Sequence, residues 1–191
     1  MKYVTVVGSR DVTVDEYLLM VELGMWLAYY YGLYARSGKA TGSDQAWQRG
    51  FEIGDALRGR KGRHQIFLGW ASFERKNGKT SDRYDVVPEK GALWDKATEI
   101  ASRIHPAWDK VKPGGRLQHT RNVYQLLGPD LSEPSRFCLY CADDDKHGVP
   151  KGGTRTAVML ARENNIPQFN VRGKTLDEAK QWVRKQLPLN A

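Results

Sequence analysis

Short runs of β-branched and aromatic residues recur along this chain and predict five strands. They fall at residues 3–7, 33–36, 65–68, 136–141 and 167–171. Glycine, serine or proline residues flank these runs, as is typical of strands that end in tight turns. The first and fourth runs contain few polar residues, which favours strands that are buried on both faces of a sheet.

Amphipathic patterns of helical period lie between these runs. They cover residues 13–32, 43–56, 88–104, 118–127, 154–164 and 175–187. Two of these predicted helices begin with a capping box, in which Thr13 precedes Glu16 and Thr175 precedes Glu178 by three residues.

The second predicted helix has two local features of its own. Ser43 is predicted to be its N-cap. Small residues then recur at every fourth position, at Ala46, Gly50 and Gly54. Because positions i and i+4 lie on the same side of a helix, they predict a small-residue ridge that lies close against the sheet.

Strands that alternate with helices predict an α/β fold, because parallel neighbours need a crossover connection. We therefore expect a Rossmann-like, doubly wound and mostly parallel sheet with helices on both faces. The length of 191 residues suits one domain, covering residues 1–191. An irregular insertion is expected at about 69–117, where the alternation lapses.

Composition and charge narrow the function further. No run of 18 apolar residues is present, and the chain leads directly into a strand, so neither a membrane span nor a secretory signal is expected. Two cysteines make no disulfide framework, which favours the cytoplasm. The net charge of +8 indicates an anionic partner.

The positive charge is concentrated in residues 58–83, which hold eight basic and two acidic side chains. Glycines interrupt this stretch, so it is predicted to be a flexible basic loop beside a site for an anion. A solvated surface that keeps the protein soluble would show the same pattern.

Three polar turns follow predicted strands, at the sheet edge where such folds bind ligands. The candidate ligand-binding residues in them are Gly8, Ser9, Arg10, Ser37, Gly38, Gly42, Ser43, Gly152, Gly153 and Thr154. Glycines allow close approach of a ligand, hydroxyl groups donate hydrogen bonds, and a guanidinium suits phosphate. None of the turns is a Walker loop or a G-x-G-x-x-G motif, so the prediction depends on their convergence.

Several of these segments resemble known families. V-V-G-S-R at residues 6–10 and S-G-K-A-T-G-S-D at 37–44 resemble DNA-processing protein A, which loads recombinase on single-stranded DNA. The segment 152–156 resembles the P-G-G-x-G-T-x-x-E motif of the "lonely guy" phosphoribohydrolases, which release a base from a nucleoside 5′-monophosphate. Residues 119–122 are similar to their second motif.

Both families belong to the SLOG superfamily of Rossmann-like nucleotide binders. Except for residues 72–117, the chain is similar to its YspA-like branch, which bacteriophages often carry. The resemblance implies a small nucleotide ligand bound in part by Arg121 and Asn122, and no cofactor. It also implies a homodimer, and the cytoplasm of a bacterial or infected host cell.

The sequence departs from the hydrolases at one position. Their catalytic glutamate corresponds to Ala157 or Met159 here, depending on the register, and neither can activate water. Arg121 would then orient the ribose phosphate. The candidate replacement carboxylates are Asp44, Asp143, Asp144 and Asp145. The three adjacent aspartates are also typical of a hydrated acidic turn.

Two further groups of residues bear on the chemistry. Trp70 and Phe73 follow the third predicted strand and are candidates to stack on a base, although core packing under a long loop explains them equally well. Cys138 and Cys141 form a C-x-x-C on a strand, which places them on opposite faces. No metal site is therefore expected.

Three functions remain open from the sequence. The first is a nucleotide-binding enzyme that hydrolyses the N-glycosidic bond of a nucleoside 5′-monophosphate. The second is a sensor or sequestering protein that binds the same ligand without turnover, which the missing glutamate favours. The third, less favoured, is a nucleic-acid binder similar to DNA-processing protein A, since no recognised nucleic-acid module accompanies the basic stretch.

Overall fold

The computed structural model describes residues 2–73 and 83–187. In chain order its elements are β1 Tyr3–Gly8, α1 Val14–Tyr31, β2 Tyr34–Ser37, α2 Ser43–Leu57, β3 Gln65–Phe67, β4 Asp85–Val86, α3 Ala92–Ile104, a short 3-10 helix Trp108–Lys110, α4 Pro113–Leu127, β5 Cys138–Cys141, α5 Thr154–Glu163, β6 Gln168–Asn170 and α6 Leu176–Gln186. The five predicted strands are all confirmed. α4 begins earlier than predicted, with a proline in its first turn.

The strands form one parallel sheet in the order β4-β3-β2-β1-β5-β6. α1, α2 and α6 cover one face, and α3, α4 and α5 cover the other. The predicted Rossmann-like, doubly wound fold is therefore confirmed. The sequence pattern missed β4 because a strand of two residues is too short to show a periodicity.

Local signals in the sequence were accurate where they involved only neighbouring residues. Both capping boxes are confirmed, with the backbone N–H groups of Glu16 and Glu178 donating to the Thr13 and Thr175 hydroxyls. Cys138 packs with α4 and α5, whereas Cys141 packs with α1 and α2, so their placement on opposite faces is also confirmed.

Two predictions about α2 were wrong. Ser43 is its first residue rather than its N-cap, and the cap is Gly42, which has a positive φ of 88°. In the predicted small-residue ridge, Gly50 and Gly54 pack against α1 rather than against the sheet. A Cβ at Gly50 would lie 2.3 Å from the carbonyl oxygen of Val21, and one at Gly54 would lie 2.5 Å from that of Met25. Glycine at these two positions lets the two helices cross closely.

The segment 69–117 is only partly irregular. Residues 74–82 lie outside the described residues, but the remainder supplies β4, α3 and the start of α4. In α3, Trp94 is buried and stacks on Tyr124 of α4, with the two ring centroids 6.2 Å apart. This part of the segment therefore extends the core.

Part of the basic stretch 58–83 has a structural role. Arg58 donates to the carbonyl oxygen of Tyr29 at 2.9 Å, and Arg60 donates to that of Ala28 at 3.2 Å. α1 has no basic residue in its last turn. The two arginines therefore supply the positive charge that stabilises its C-terminus.

The strand order reverses at β1. The chain builds the sheet outward from β1 to β4 and then returns to place β5 on the other side of β1. In doubly wound sheets, the crevice at the carboxyl ends of the strands at such a reversal is where ligands bind. No helix in the described part of the chain is long and apolar enough to cross a membrane.

Candidate ligand-binding site

A cavity of about 480 Å³ lies at the carboxyl ends of β1 and β5, where the strand order reverses. The predicted site residues that line it are Gly8, Ser9, Arg10, Asp44, Arg121, Asn122, Asp143, Gly152, Gly153 and Thr154. The predicted site residues that do not line it are Ser37, Gly38, Gly42, Ser43, Trp70, Phe73, Asp144 and Asp145. The structure thus brings residues of all three turns to one cavity.

Contacts between the first two turns fix the wall of the cavity. The Ser43 hydroxyl donates to the carbonyl oxygen of Ser9 at 2.8 Å, and the Ser9 backbone N–H donates to that of Cys141 at 2.7 Å. A Cβ at Gly8 would lie 2.4 Å from the Ser43 oxygen, so this close approach requires glycine. Ser43 therefore supports the turn after β1.

Arg121 and Asp44 form a buried pair on the side of the cavity nearer β2. Nη2 of Arg121 lies 3.9 Å from Oδ2 of Asp44, and the two residues are 5% and 4% exposed. Burial lowers the pKa of Arg121 to about 10, against the opposing effect of Asp44. Burial also raises the pKa of Asp44, against the effect of Arg121. The arginine remains charged at neutral pH and provides a guanidinium for an anion.

Gly38 and Phe73 support the Arg121 guanidinium from outside the cavity. A Cβ at Gly38 would lie 1.2 Å from Nη1 of Arg121, so the guanidinium occupies the space that a side chain would need. The guanidinium carbons of Arg121 and Arg10 lie 5.7 and 5.8 Å from the centre of the Phe73 ring. Trp70 contacts the same ring edge-on. In this structure Phe73 packs against the two arginines, Trp70 packs against Phe73, and neither aromatic residue lines the cavity.

The third turn forms the opposite wall. The Asn122 amide donates to the carbonyl oxygen of Gly153 at 2.7 Å, which joins α4 to the N-terminus of α5. Gly152 has a positive φ of 65°, and no side chain caps α5. The first turn of α5 can therefore offer backbone N–H groups to an anion.

The three adjacent aspartates after β5 have different surroundings. Asp143 lines the cavity and accepts from Arg172 at 2.7 Å, which lowers the pKa of this carboxyl below its ordinary value. Asp144 lies outside the cavity and accepts from the Tyr140 hydroxyl at 3.3 Å. Asp145 accepts from backbone N–H groups of its own loop. Of the three, only Asp143 is in position to meet a ligand in this cavity.

The sequence interpretation named Arg121 and Asn122 but missed Gln118 and Gln125, which belong to the same polar stripe on α4. Its members, Gln118, Arg121, Asn122 and Gln125, recur at i, i+3, i+4 and i+7 and all line the cavity. Both amide atoms of Gln125 are buried without a hydrogen-bond partner among the described residues. Polar residues at helical spacing on an otherwise buried helix are the signal that would have identified this face.

His119 is the aromatic residue of the cavity lining. Its Nδ1 lies 2.7 Å from the Thr156 hydroxyl oxygen, and its ring lies 4.6 Å from that of His105. Burial, with smaller contributions from His105 and Arg121, lowers the pKa of His119 from 6.5 to about 4. The imidazole is therefore neutral at physiological pH.

This shift predicts a pH dependence of stability. As the pH falls from about 6.5 to about 4, the unfolded chain protonates His119 before the folded chain does, so the free energy of unfolding decreases by up to about 3 kcal/mol. Urea unfolding at about pH 7 and about pH 4.5 measures this change. His119→Gln should lose less stability over the same interval, and equal losses in both proteins would contradict the burial of a neutral histidine.

Comparisons of the chain with protein-family models, with characterised proteins and with solved structures found no match. The likeness to the SLOG superfamily thus rests on the motifs in the sequence. Within residues 2–73 and 83–187, no three His, Cys, Asp or Glu side chains are grouped so that they could hold a metal ion.

Proposed function

We propose that this protein binds a nucleotide or a nucleotide-derived ligand at the carboxyl edge of its sheet. The observation that carries this proposal is the cavity at the strand reversal, to which the N-terminus of α5 and the buried Arg121 both contribute. Helix N-termini and guanidinium groups both bind phosphate oxygens. Val7 and Ala142 add apolar surface that suits a sugar or a base.

Hydrolysis of the N-glycosidic bond is a second candidate function, and Asp143 is the observation that favours it. This carboxylate lines the cavity and is ionised beside Arg172. In such a reaction Asp143 would accept a proton from water, and the water oxygen would bond to C1′ as the C1′–N bond breaks. The base would take up a proton from solvent as it leaves, and Asp143 would return its own proton to solvent.

Binding without turnover is nevertheless the simpler function. Of the two positions that could correspond to the glutamate of the phosphoribohydrolase motif, Ala157 lines the cavity but carries no carboxylate and Met159 does not line it, and Asp44 is paired with Arg121. Single-stranded DNA binding has less support, since Arg58 and Arg60 of the basic stretch bond to the end of α1. A nucleotide sensor or sequestering protein fits these observations best.

A panel of nucleoside 5′-monophosphates tests the proposal. At least one should raise the melting temperature by several degrees at saturating concentration, because a ligand that binds only the folded state stabilises it by mass action. The matching nucleosides, which lack the phosphate, should have little effect. If no nucleotide stabilises the protein, the proposal is wrong.

The same samples test for hydrolysis. If the protein is an enzyme, chromatography should detect free base, and Asp143→Asn should reduce its release by at least about 100-fold while ligand binding persists. Arg172→Gln serves as a control, since it removes the partner of Asp143 but keeps the carboxylate. Binding without any release of base identifies a sensor or sequestering protein.

A further inference from the structure

The outer face of α1 carries a stripe of exposed apolar side chains. Val14, Leu18 and Tyr29 are spaced i, i+4 and i+15 and therefore lie on one side of the helix. Single exposed apolar residues are ordinary, but a group of them on one face marks an interaction surface. Of the eight large hydrophobic residues that are exposed in the described part of the chain, five lie on α1 or at the neighbouring end of α2: Val14, Leu18, Tyr29, Tyr30 and Leu57.

Charged side chains give this face an acidic part and a basic part. Asp15 and Glu22 are exposed on α1, and with Trp26 they follow at i, i+7 and i+11, on one flank of the apolar stripe. Lys180 and Arg184 of α6 lie over the Trp26 ring, with Nζ and Cζ 5.7 and 5.5 Å from its centre. The flank is therefore acidic from the start to the middle of α1 and basic towards its end.

The face is complementary to itself. When a second copy of α1 packs antiparallel on the first, about a two-fold axis at the middle of the helix, Val14 of one copy lies opposite Tyr29 of the other. The acidic part of each flank then faces the basic part of the other. Interfaces between identical subunits related by a two-fold axis require this self-complementarity. The dipoles of two antiparallel helices also attract each other.

The face is also large enough for a stable interface. α1 has 18 residues and is therefore about 27 Å long. Since neighbouring helices are about 8–10 Å apart, α1 with α2 and α6 at its sides presents roughly 700 Å². This area is close to the approximately 800 Å² that each partner buries in an interface of standard size.

We propose that this protein forms a two-fold homodimer through the outer face of α1. In the dimer, Asp15 and Glu22 of each copy lie near Lys180 and Arg184 of the other, and the apolar stripes pack together between these charges. The residues of this face do not line the cavity. The inference therefore does not depend on the proposed function.

Sedimentation velocity at protein concentrations from about 1 to 200 µM tests this surface. The wild type should dimerise, and Leu18→Arg should raise the dissociation constant at least about tenfold, because it buries a charge at the centre of the interface. Leu93→Arg is the matched control, since Leu93 is 45% exposed and Leu18 52%, but Leu93 lies on α3 at the other face of the sheet. It should dimerise like the wild type.

Two results would overturn the proposal. If Leu18→Arg dimerises as the wild type does, the dimer uses another surface. If the wild type stays monomeric at every concentration, no dimer forms. Should this monomer then sediment with vesicles of anionic phospholipid, the aromatic and basic end of the face contacts a membrane instead.

A charge-reversal pair tests the antiparallel arrangement. Asp15 and Glu22 are both changed to lysine in one variant, and Lys180 and Arg184 are both changed to glutamate in the other. Each variant alone should be largely monomeric, because like charges then face each other. An equimolar mixture should form heterodimers, since each reversed group meets its opposite, and misfolding of either variant would not produce this recovery. A mixture that stays monomeric would contradict the arrangement.

Discussion

Arg121→Leu is expected to lower the free energy of unfolding by about 3–5 kcal/mol, because it leaves Asp44 as a buried carboxylate without a charged partner. Burial already raises the pKa of Asp44. Without Arg121, Asp44 should therefore bind a proton on folding, and the loss of stability should increase with pH. Urea unfolding followed by tryptophan fluorescence measures both effects.

A double-mutant cycle separates the pair from general packing. Asp44→Asn removes the negative charge and keeps an amide oxygen for the Ala40 backbone N–H, which donates to Asp44 at 3.2 Å. In the double variant, Asp44→Asn should recover at least about 1 kcal/mol of the stability that Arg121→Leu loses. If the two single losses simply add, the stability of this region does not depend on the interaction of Arg121 with Asp44.

Much of the fold could be predicted because its determinants are local. The capping boxes at Thr13 and Thr175 lie within single turns, and strands such as β1 and β5 have short apolar runs that end at glycine or polar residues. The topology follows from alternation, since parallel strands need crossovers. Three turns at one sheet edge were therefore predictable, and so was a cavity between them.

Interactions between distant segments could not be predicted in the same way. Arg36 is fully buried in β2, where it donates to Gln65 of β3 and to Glu133 in the loop before β5. In the sequence, an arginine at the end of a short strand is typical of an exposed position. Gly38 likewise resembles an ordinary turn glycine, and only the structure reveals that Arg121 occupies the space beside it.

Gly38→Ala is expected to weaken ligand binding by about 10- to 100-fold, because the added Cβ would lie 1.2 Å from Nη1 of Arg121 and must displace the guanidinium. The backbone at this position does not have a positive φ, so the clash alone causes the effect. Displacement also separates Arg121 from Asp44, and we expect a loss of about 1–3 kcal/mol in the free energy of unfolding. Calorimetric titration with the preferred nucleotide and urea unfolding measure the two changes.

Gly114→Ala is the matched control for this substitution. Gly114 lies in the first turn of α4, and a Cβ there would have no atom within 4 Å. The Gly114→Ala substitution should leave ligand affinity unchanged and should not reduce stability, since alanine favours helix.

In the Gly38→Ala background, Arg121→Leu should reduce affinity much less than in the wild type, because the guanidinium has already left its position. Equal reductions in the two backgrounds would mean that Gly38 acts on the ligand independently of Arg121.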